Sequence, residues 1–369
     1  MKQLTHNQAE RHKMTAKKAK LVFFERWADD EAATRVMTTA PEIEVMRLRY
    51  ADPRAVNDAA MAAAHGYQIQ SRVELDQFWL AEAPLLERAP NLLAISSTGS
   101  GYDVIDVEAC TRAGVLVVNQ AGGNAPAVAE HAVGLMLSLS KRISSSDRAV
   151  HREADVDRFI YTGNNIQRKT VGILGLGNIG RLTAKICCNG FDMTVLAHDP
   201  HLSEDEIRAR GAEPVSRDEL FGRSDFISVH CPRTDETFGS IGLREFSMMK
   251  PTAFFVNTAR GGIHDEARLA EALSRNLIAG AGLDVFLVEP PAPDHPLLAF
   301  DNVIANPHLA GMSAESQTGI TEYAATQWIE ILNGRRPPRL INPEAWPLYC
   351  RRFEAIMGYA PEGAATEPA

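Results

Sequence analysis

Short apolar runs alternate with longer stretches of mixed polarity along the first third of the chain. Each run is four or five residues long, and the runs cover residues 21–24, 44–48, 92–95 and 115–118. Continuous apolar runs of this length are typical of strands that are buried on both faces of a parallel sheet. Because helix-length segments separate them, the pattern predicts successive strand–helix units and a mostly parallel α/β sheet.

The segment 125–142 differs from this alternation, because it has one long helical pattern. Pro126 lies near its start, where a proline is tolerated in a helix. Its polar residues are Glu130, His131, Lys141 and Arg142. We interpret this segment as a helix that links two domains.

A second series of strand-length apolar runs follows this helix. The runs cover residues 171–174, 193–197, 226–229, 253–256, 279–284 and 303–305. Six strands with intervening helices make a complete doubly wound sheet. A final helical pattern over residues 313–332 ends at Asn333-Gly334 and precedes Pro337-Pro338, which is typical of a helix terminus. The sequence therefore predicts an α/β fold with two mostly parallel sheets, of which the second is doubly wound, and a return of the last helix to the first domain.

The composition agrees with two folded domains. The chain has 369 residues, and single hydrophobic cores stop growing at about 250–300 residues. Hydrophobic residues make up 45% and charged residues 23% of the sequence, as in ordinary globular proteins. The net charge of −9 disfavours a nucleic acid partner, because the phosphate backbone attracts basic proteins.

The spacing of the cysteines and the length of the apolar stretches bear on the cellular compartment and on metal binding. The five cysteines are scattered and only Cys187 and Cys188 are close in sequence, so the spacing indicates neither a disulfide framework nor a metal site. No apolar stretch reaches the roughly 18 residues of a membrane span, and the basic first twenty residues lack the apolar segment of a secretion signal. We predict a cytoplasmic protein without a membrane or metal partner. Solvated tails are expected at residues 1–18 and 360–369, with an organelle presequence as the alternative for the first tail.

A glycine motif follows the strand predicted at residues 171–174. Gly175, Gly177 and Gly180 form the pattern G-x-G-x-x-G and lead directly into a helix-compatible stretch. The first glycine permits a tight turn, the second allows backbone N–H groups to approach a pyrophosphate, and the third allows close helix–strand packing. The order of strand, glycine turn and helix therefore predicts a dinucleotide site.

Asp199 supports the same site. It ends the next predicted strand, nineteen residues beyond Gly180, where an acidic residue accepts hydrogen bonds from the ribose hydroxyls of the dinucleotide. A carboxylate here repels a 2′-phosphate, and the following Pro200 and His201 supply no arginine to bind one. The sequence therefore predicts NAD, rather than NADP, as the cofactor.

Three charged groups follow predicted strands of the second series. Arg260, Glu289 and His308 come after the runs that end at residues 256, 284 and 305. In a doubly wound sheet the carboxyl ends of the strands line the ligand crevice. Reduction of a 2-oxo acid needs a cation for the substrate carboxylate and a proton donor for the developing alkoxide. Arg260 suits the first task and His308 the second, while Glu289 would orient His308.

Several motifs occur in order between about Leu92 and Gly334. They cover residues 97–103, 123–125, 129–132, 175–180, 230–232, 257–261, 282–289 and 306–308. In these motifs the chain resembles the D-isomer-specific 2-hydroxyacid dehydrogenase family, which includes phosphoglycerate, D-lactate and glyoxylate/hydroxypyruvate dehydrogenases. The resemblance implies hydride transfer between a nicotinamide and the α-carbon of a small D-2-hydroxy or 2-oxo acid. It also implies that Arg260, Glu289 and His308 are the catalytic residues.

The resemblance further implies two doubly wound parallel-sheet domains, with a Rossmann NAD-binding domain inserted into a flavodoxin-like substrate domain. It also implies a homodimer. The expected domains are a substrate domain at residues 1–125, an NAD-binding domain with the linking helix at 126–309, a return to the substrate domain at 310–340 and a C-terminal extension at 341–369. The expected cofactor contacts are Gly175, Gly177, Ile179, Gly180, Asp199, Cys231, Pro232, Thr258, Ala259, Asp284 and Gly311. Asp284 is expected near the nicotinamide amide. Thr98, Gly99 and Ser100 are expected to give backbone donors to the substrate carboxylate, which Arg260 also binds.

Departures from the family pattern bear on the substrate. Phosphoglycerate enzymes of the family carry an arginine where this chain has Ser97, so a glyoxylate- or hydroxypyruvate-like substrate is favoured over phosphoglycerate. Formate dehydrogenases of the superfamily lack the glutamate that Glu289 supplies, so formate or phosphite oxidation is a less favoured alternative. Arg26 either contacts a second substrate carboxylate or is a solvated loop residue. A last alternative is an NAD(H)-binding corepressor that assembles other proteins, which the complete catalytic set disfavours.

Overall fold

The computed structural model of the chain describes residues 18–72 and 74–362. Nearly all of the tails predicted at residues 1–18 and 360–369 lies outside these described residues. The chain forms two compact units, of which the first combines the chain up to Asn124 with the chain from Ala314, and the second contains residues 125–313. The second unit is therefore a contiguous insertion in the sequence of the first, and it ends four residues beyond the predicted 309.

The first unit begins with a sheet of five strands. The strands are β1 (Ala19–Phe24), β2 (Ile43–Leu48), β3 (Gly66–Ile69), β4 (Ala94–Ser97) and β5 (Leu116–Val118). The helices between them are α1 (Asp30–Met37), α2 (Arg54–Ala63), a 3-10 turn (Gln77–Trp79), α3 (Ala83–Arg88) and α4 (Val107–Ala113). All strands are parallel in the order β2-β1-β3-β4-β5, which is the flavodoxin-like arrangement.

The second unit contains a larger parallel sheet. Its strands are β6 (Thr170–Leu174), β7 (Thr194–His198), β8 (Glu213–Pro214), β9 (Phe226–Val229), β10 (Phe254–Asn257), β11 (Gly280–Leu283) and β12 (Val303–Ala305). Its helices are α5 (Ala125–Ser140), α6 (Ile143–Arg152), α7 (Asn178–Phe191), α8 (Glu204–Ala209), α9 (Arg217–Arg223), α10 (Leu243–Met248) and α11 (Glu266–Ser274), with 3-10 turns at Arg158–Tyr161 and Pro296–Ala299. The strand order β12-β11-β10-β9-β6-β7-β8 reverses between β6 and β9, and doubly wound sheets bind ligands at such a reversal.

The last part of the chain completes the core of the first unit. Helix α12 (Ala314–Leu332), a 3-10 turn (Pro343–Ala345) and α13 (Trp346–Met357) follow the insertion. Trp328, Tyr349 and Phe353 are fully buried in the same cluster as the strand residues, and the indole N–H of Trp328 donates to Gln68 Oε1 at 2.8 Å. The segment expected to be a C-terminal extension is therefore, up to α13, part of this core.

Other differences from the sequence pattern have local causes. Strand β3 contains Gln68, whose buried amide interrupts the apolar run, and β8 has only two residues and ends in Pro214. The helix expected at 125–142 ends at Ser140, because Arg142 adopts a left-handed φ of +56° and a new helix begins after it. Short or interrupted strands are therefore what the apolar pattern misses.

The described part of the chain contains neither a membrane-spanning helix nor a group of metal ligands. No helix there is both long enough and apolar enough to cross a bilayer. No three His, Cys, Asp or Glu side chains there are grouped as a metal site requires.

Candidate active site

All seven strands of the second unit run parallel, so their carboxyl ends lie at one edge of the sheet. Most of the predicted site residues lie in segments that directly follow these ends. The segments are 175–180 after β6, 199 after β7, 230–232 after β9, 258–261 after β10, 284–289 after β11 and 306–311 after β12. The fold therefore brings the predicted catalytic and cofactor residues to one edge of one sheet.

The glycine turn excludes other side chains at two of its three glycines. Gly175 has a φ of +91°, and a Cβ atom there would lie 2.7 Å from the backbone nitrogen of Cys231. A Cβ atom at Gly180 would lie 2.1 Å from the carbonyl oxygen of Gly175, because α7 packs closely on the turn. A Cβ atom at Gly177 would have no neighbour within 4 Å, which is the open space that a pyrophosphate needs to approach the backbone.

The carboxylate of Asp199 is tied to the glycine turn. Its Oδ2 accepts the backbone N–H of Leu176 at 2.9 Å, and its Oδ1 accepts that of His201 at 3.0 Å. Asp199 therefore lies beside the turn, where Rossmann folds bind the ribose of a dinucleotide. Helix α7 begins at Asn178, and its first turn, with the half-buried Ile179, presents backbone N–H groups that suit a phosphate.

The remaining predicted cofactor residues lie at the same edge of the sheet. Cys231 is half-buried, and burial raises the pKa of its thiol to about 11, so the thiol stays neutral. Thr258 is buried, and its Oγ1 has no hydrogen-bond partner among the described residues. Pro232 is exposed, while Ala259 and Gly311 are half-buried. A buried hydroxyl without a partner needs a polar group to satisfy it, so the residues of this edge fit a dinucleotide.

His308 and Glu289 form a close pair. The Nδ1 atom of His308 lies 2.8 Å from Glu289 Oε2, so Nδ1 carries the shared proton and Nε2 is left for a substrate. Burial favours the neutral form of Glu289, but the hydrogen bond and charge of His308, the N–H of Phe286 and the charge of Arg260 outweigh it and lower the pKa of Glu289. An ionised Glu289 accepts the Nδ1–H of His308 and so orients the imidazole.

Asp284 holds the turn that carries His308. The φ of His308 is +55°, an uncommon value for a residue other than glycine, and its backbone N–H donates to the carbonyl oxygen of Asp284 at 2.8 Å. The Asp284 carboxylate accepts the N–H groups of Leu309 and Ala310, each at 2.9 Å. Burial raises the pKa of Asp284 in spite of these bonds. Its expected contact with a nicotinamide amide stays a prediction.

His131, on α5, contacts the same turn and was not assigned a role from the sequence. Its Nε2 lies 3.2 Å from Asn306 Oδ1 and 3.8 Å from Asp284 Oδ1. It thus supports the turn from the side of the linking helix. The sequence feature that could have indicated this role is that His131 is among the few polar residues of that helix.

The backbone around Arg260 is fixed by Asn257, a second residue without an assigned role. The Nδ2 of Asn257 donates to the carbonyl oxygen of Arg260 and to His264 Nδ1, both at 3.0 Å, and its Oδ1 accepts the N–H of Ala259 at 2.9 Å. Burial lowers the pKa of His264 to about 4, so this imidazole remains a neutral acceptor. A polar residue at the end of a buried strand was the signal for this position.

Gly261 brings the loops of Arg260 and Glu289 into contact. A Cβ atom at Gly261 would lie 1.9 Å from the carbonyl oxygen of Phe286, so only a glycine fits this approach. The close packing places the two charged loops against each other. It agrees with the influence of the Arg260 charge on the pKa of Glu289.

The predicted substrate loop lies in the first unit. Thr98, Gly99 and Ser100 directly follow β4. The Asn119 side chain donates to the carbonyl oxygen of Ser100 at 2.8 Å, and the Gln120 N–H donates to that of Gly99 at 2.9 Å. The loop is therefore fixed through its carbonyl oxygens, and its binding of a substrate carboxylate by N–H groups stays a prediction.

Arg26 and Ser97, also in the first unit, are the residues on which the sequence-based substrate predictions depend. The guanidinium of Arg26 is 65% exposed and its Nη2 lies 2.9 Å from Glu74 Oε1, as expected for a solvated loop residue. Ser97 is buried, and its hydroxyl lies against two carbonyl oxygens of its own loop, that of Gly101 and, farther away, that of Gly99 at 3.2 Å. Position 97 is therefore occupied by an internal hydrogen bond of the loop.

The match to a family model covers the site in the second unit. The model is described as D-isomer specific 2-hydroxyacid dehydrogenase, NAD binding domain, and it matches residues 133–310. This range contains the glycine turn, Asp199, Arg260, Glu289 and His308. The prediction of an NAD-binding domain is therefore confirmed.

Two similar proteins carry different substrate names. The D-3-phosphoglycerate dehydrogenase of Archaeoglobus fulgidus is 42% identical over 261 residues, which are 71% of this chain and 49% of that protein. The glyoxylate reductase of Thermofilum pendens is 39% identical over 268 residues, which are 71% of this chain and 78% of that protein. The chain thus spans about half the length of the first relative and more than three quarters of the second.

A solved structure of similar fold is that of D-lactate dehydrogenase from Aquifex aeolicus, complexed with NAD and lactic acid. It superposes with a TM-score of 0.72 at 27% identity and covers 87% of this chain and 98% of that chain. The predicted fold of two parallel-sheet α/β domains is confirmed by this likeness. Together with the glyoxylate reductase match and the site geometry, it shows that the chain belongs to the D-isomer-specific 2-hydroxyacid dehydrogenase family.

Proposed function

We propose that the chain is an NAD-dependent dehydrogenase that interconverts a small D-2-hydroxy acid and the corresponding 2-oxo acid. The observation that carries the proposal is the 2.8 Å contact between His308 Nδ1 and Glu289 Oε2, in a site where the charge of Arg260 acts on Glu289. An oriented imidazole and a cation for a carboxylate are the two groups that this reaction needs. Family membership supports the same reaction.

Each of the three residues has a separate task in the proposed mechanism. The planar guanidinium of Arg260 binds the substrate carboxylate through two hydrogen bonds. His308 donates its Nε2 proton to the carbonyl oxygen as the 2-oxo acid is reduced, and it takes the proton back in the reverse direction. Glu289 holds Nδ1–H and stabilises the imidazolium. The hydride that joins or leaves the α-carbon is the chemistry that a bound nicotinamide supplies.

The proposed cofactor site uses the glycine turn and Asp199. The open space at Gly177 and the N-terminus of α7 would take the pyrophosphate. The carboxylate of Asp199 would accept the ribose hydroxyls, and its charge supports NAD over NADP. Cys231, Pro232, Thr258, Ala259, Asp284 and Gly311 are proposed as the remaining contacts.

A substrate like glyoxylate or hydroxypyruvate is proposed over 3-phosphohydroxypyruvate. The support is the position of Ser97, which is buried and bonded to its own loop. A serine there supplies no guanidinium for a phosphate, and a phosphate is commonly bound by arginine. Comparison of kcat/KM for the three acids with NADH tests this preference, and a highest value for the phosphorylated acid would reverse it.

The reaction itself is tested by the loss of NADH absorbance with glyoxylate, hydroxypyruvate, pyruvate and 3-phosphohydroxypyruvate. We expect turnover of at least one acid, and we expect His308→Ala to lower kcat by roughly 10²–10⁴-fold, which is the usual contribution of a general acid. His151→Ala is the matched control, because His151 is exposed and pairs with Asp147 on α6. An equal loss of kcat in both variants would contradict the assignment of His308 as the general acid.

The two alternatives predict other outcomes of the same experiment. A corepressor-like protein would bind NADH tightly and turn over none of the acids. A formate or phosphite dehydrogenase would reduce NAD⁺ with one of those ions and ignore the 2-oxo acids. The complete set of Arg260, Glu289 and His308 favours the 2-hydroxyacid reaction over both.

We also propose that the chain forms a homodimer through the second unit. The side chains of Ile143, Val150, Phe159 and Ile160 are 55–72% exposed on α6 and the 3-10 turn that follows it, and clustered exposed apolar residues mark protein interfaces. Light scattering should therefore give twice the chain mass, with a Val150→Asp/Phe159→Asp variant at the chain mass. Val56→Asp is the control, because Val56 is 55% exposed in the first unit.

A cytoplasmic location belongs to the same proposal. All five cysteines are free thiols, as is usual in a reducing compartment. Recovery of the activity in the cytoplasmic fraction of the source cells is the expected result.

A further inference from the structure

Arg210 is a half-buried cation at the glycine turn, and the mechanism above does not use it. It follows α8, and its Nη1 donates to the carbonyl oxygen of Leu176 at 2.6 Å. The Oδ2 of Asp199 accepts the N–H of the same Leu176 at 2.9 Å. One residue of the glycine turn is therefore held between a carboxylate and a guanidinium.

The two charges are close, but they do not form an ion pair. The N and O atoms of one residue lie within about 4 Å of each other, so the bonds to Leu176 place both charged groups within about 10 Å. In the described ranges no carboxylate lies within ion-pair distance of Arg210, whereas Arg208 on the same helix pairs with Glu204 and Asp205. Arg210 therefore has no ion-pair partner there, although its charge also acts on the carboxylate of Glu206, which the N–H and hydroxyl of Ser203 bind.

We propose that Arg210 is a second residue of cofactor selectivity. Its guanidinium is placed to bind the 2′-phosphate of an NADP-type dinucleotide, and the carboxylate of Asp199 prevents that binding. The inference rests on the proposed role of Asp199 at the ribose. A guanidinium binds a phosphate through two charge-assisted bonds, and a carboxylate repels it.

The preference for NAD is then caused by one anion and not by the lack of a cation. Pro200 and His201 offer no arginine directly after the strand, but Arg210 reaches the glycine turn from eleven residues beyond Asp199. The residues next to Asp199 in the sequence do not reveal Arg210, because its contact with the glycine turn depends on the path of α8. Removal of one charge is therefore expected to open the site to NADP.

Asp199→Asn, Arg210→Ala and the double variant separate the two charges. Asparagine keeps an oxygen that accepts the N–H of Leu176, so the turn retains its hydrogen bond while the charge is removed. The Kd values of NADH and NADPH are measured from nicotinamide fluorescence, without any 2-oxo acid. We expect Asp199→Asn to bind NADPH at least about tenfold more tightly than the unchanged chain, and the double variant to lose most of that gain.

Arg208→Ala in the Asp199→Asn background is the control. Arg208 lies on α8 but pairs with Glu204 and Asp205, so its removal should leave the NADPH affinity of Asp199→Asn unchanged. Circular dichroism of each variant shows whether its fold is retained. A loss with Arg208→Ala as large as with Arg210→Ala would mean a general effect of charge and would overturn the inference.

Other outcomes separate this inference from the proposed function. Equal NADPH affinity of Asp199→Asn and the double variant overturns the inference. So does an equal weakening of NADH and NADPH in the double variant, because Arg210 would then only support the turn. If the unchanged chain binds neither dinucleotide, the proposed function fails and the inference fails with it.

Discussion

At the scale of single residues, Glu289 is subject to opposing influences on its ionisation. Burial raises its pKa, while His308, the N–H of Phe286 and Arg260 lower it, with a net lowering from the usual 4.5. Because the pKa in the folded state is lowered, Glu289 stabilises the fold fully above its usual pKa, and this contribution is lost as the pH falls through the lowered value. His308, together with the N–H of Phe286 and the charge of Arg260, thus keeps Glu289 charged.

We expect His308→Ala to raise the pKa of Glu289. The substitution removes a hydrogen bond and a positive charge, while burial, the largest influence, remains. Carbon-13 NMR titration of the glutamate carboxyl groups measures the change, with Glu289→Gln to assign the signal. His151→Ala should leave that signal unchanged, because His151 pairs with Asp147. An unaltered pKa in His308→Ala would contradict the ionic pairing.

Asn257→Ala is expected to raise the KM for a 2-oxo acid by about tenfold. The variant frees the carbonyl oxygen of Arg260 and leaves His264 Nδ1 without its donor, at a cost of about 1–3 kcal/mol in stability. Steady-state kinetics and urea unfolding measure the two effects. Asn302→Ala removes a similar bond, to the carbonyl oxygen of Ala279, and should lower stability without raising KM. A similar KM increase in both would show that Asn257 has no positioning role.

The identities of the charged site residues are predictable from the sequence, but the contacts that hold these residues in position are not. Arg260 and His308 each follow an apolar run, and parallel strands place such residues at one edge. The left-handed backbone of His308 and the bonds of Asp284 to the following N–H groups arise from contacts between distant segments. A sequence motif shows which residue types are present, but it does not show which distant residues they contact.

At the scale of elements, the three glycines of the turn have separate structural reasons. Gly180 is needed because α7 packs on Gly175, and Gly177 faces open space. The glycine at position 180 is therefore needed for folding, and the glycine at position 177 is needed for the proposed binding of the dinucleotide. Substitution with alanine is therefore expected to separate the two effects.

Gly180→Ala should destabilise the second unit, and Gly177→Ala should weaken NADH binding instead. A Cβ atom at Gly180 meets the carbonyl oxygen of Gly175, and overpacking of this kind costs about 1–3 kcal/mol. A Cβ atom at Gly177 meets no protein atom but occupies the proposed path of the pyrophosphate, so we expect at least about a tenfold higher Kd with a stability change below about 1 kcal/mol. Thermal unfolding and NADH fluorescence measure the pair. Equal destabilisation by both substitutions would refute this division.

The strands with continuous apolar runs were predictable from their pattern, whereas two others were not. Strand β3 carries the buried Gln68, whose amide oxygen accepts the indole N–H of Trp328 from a helix far along the chain. Strand β8 has two residues at the edge of its sheet, which is too short for any periodicity. The missed elements are thus those whose burial depends on partners that local sequence does not show.

At the scale of the whole molecule, the core of the first unit depends on the last part of the chain. Trp328 and Tyr349 are fully buried there, and the hydroxyl of Tyr349 donates to the carbonyl oxygen of Ile331 at 2.5 Å. A Cβ atom at Gly66 would lie 2.5 Å from the indole of Trp328, so the helix packs directly on the sheet. The C-terminal helix is therefore a structural part of the unit.

Phe353→Ala should lower the stability of the first unit by about 3–5 kcal/mol, because Phe353 is fully buried. The NADH site proposed in the second unit should remain. Calorimetry with and without NADH distinguishes the units, since a ligand raises the unfolding temperature only of the unit that binds it. Glu354→Ala is the control, as Glu354 is exposed on the same helix. Loss of NADH binding in Phe353→Ala would contradict the expectation that the second unit keeps its fold when the first unit is destabilised.

The insertion of the second unit affects the order in which the protein can fold during translation. All five strands of the first sheet and helices α1 to α4 precede Asn124, but α12 and α13, which complete the cover of one face of this sheet, begin only at Ala314 and Trp346. At a synthesis rate of 5–20 residues per second, the ribosome needs about 10–40 seconds to produce residues 125–313. The second unit can begin to fold during this interval, while one apolar face of the first sheet is covered by α1 alone among the described helices. Until α12 and α13 have been synthesised, the nascent first unit therefore exposes apolar surface of the kind that promotes aggregation.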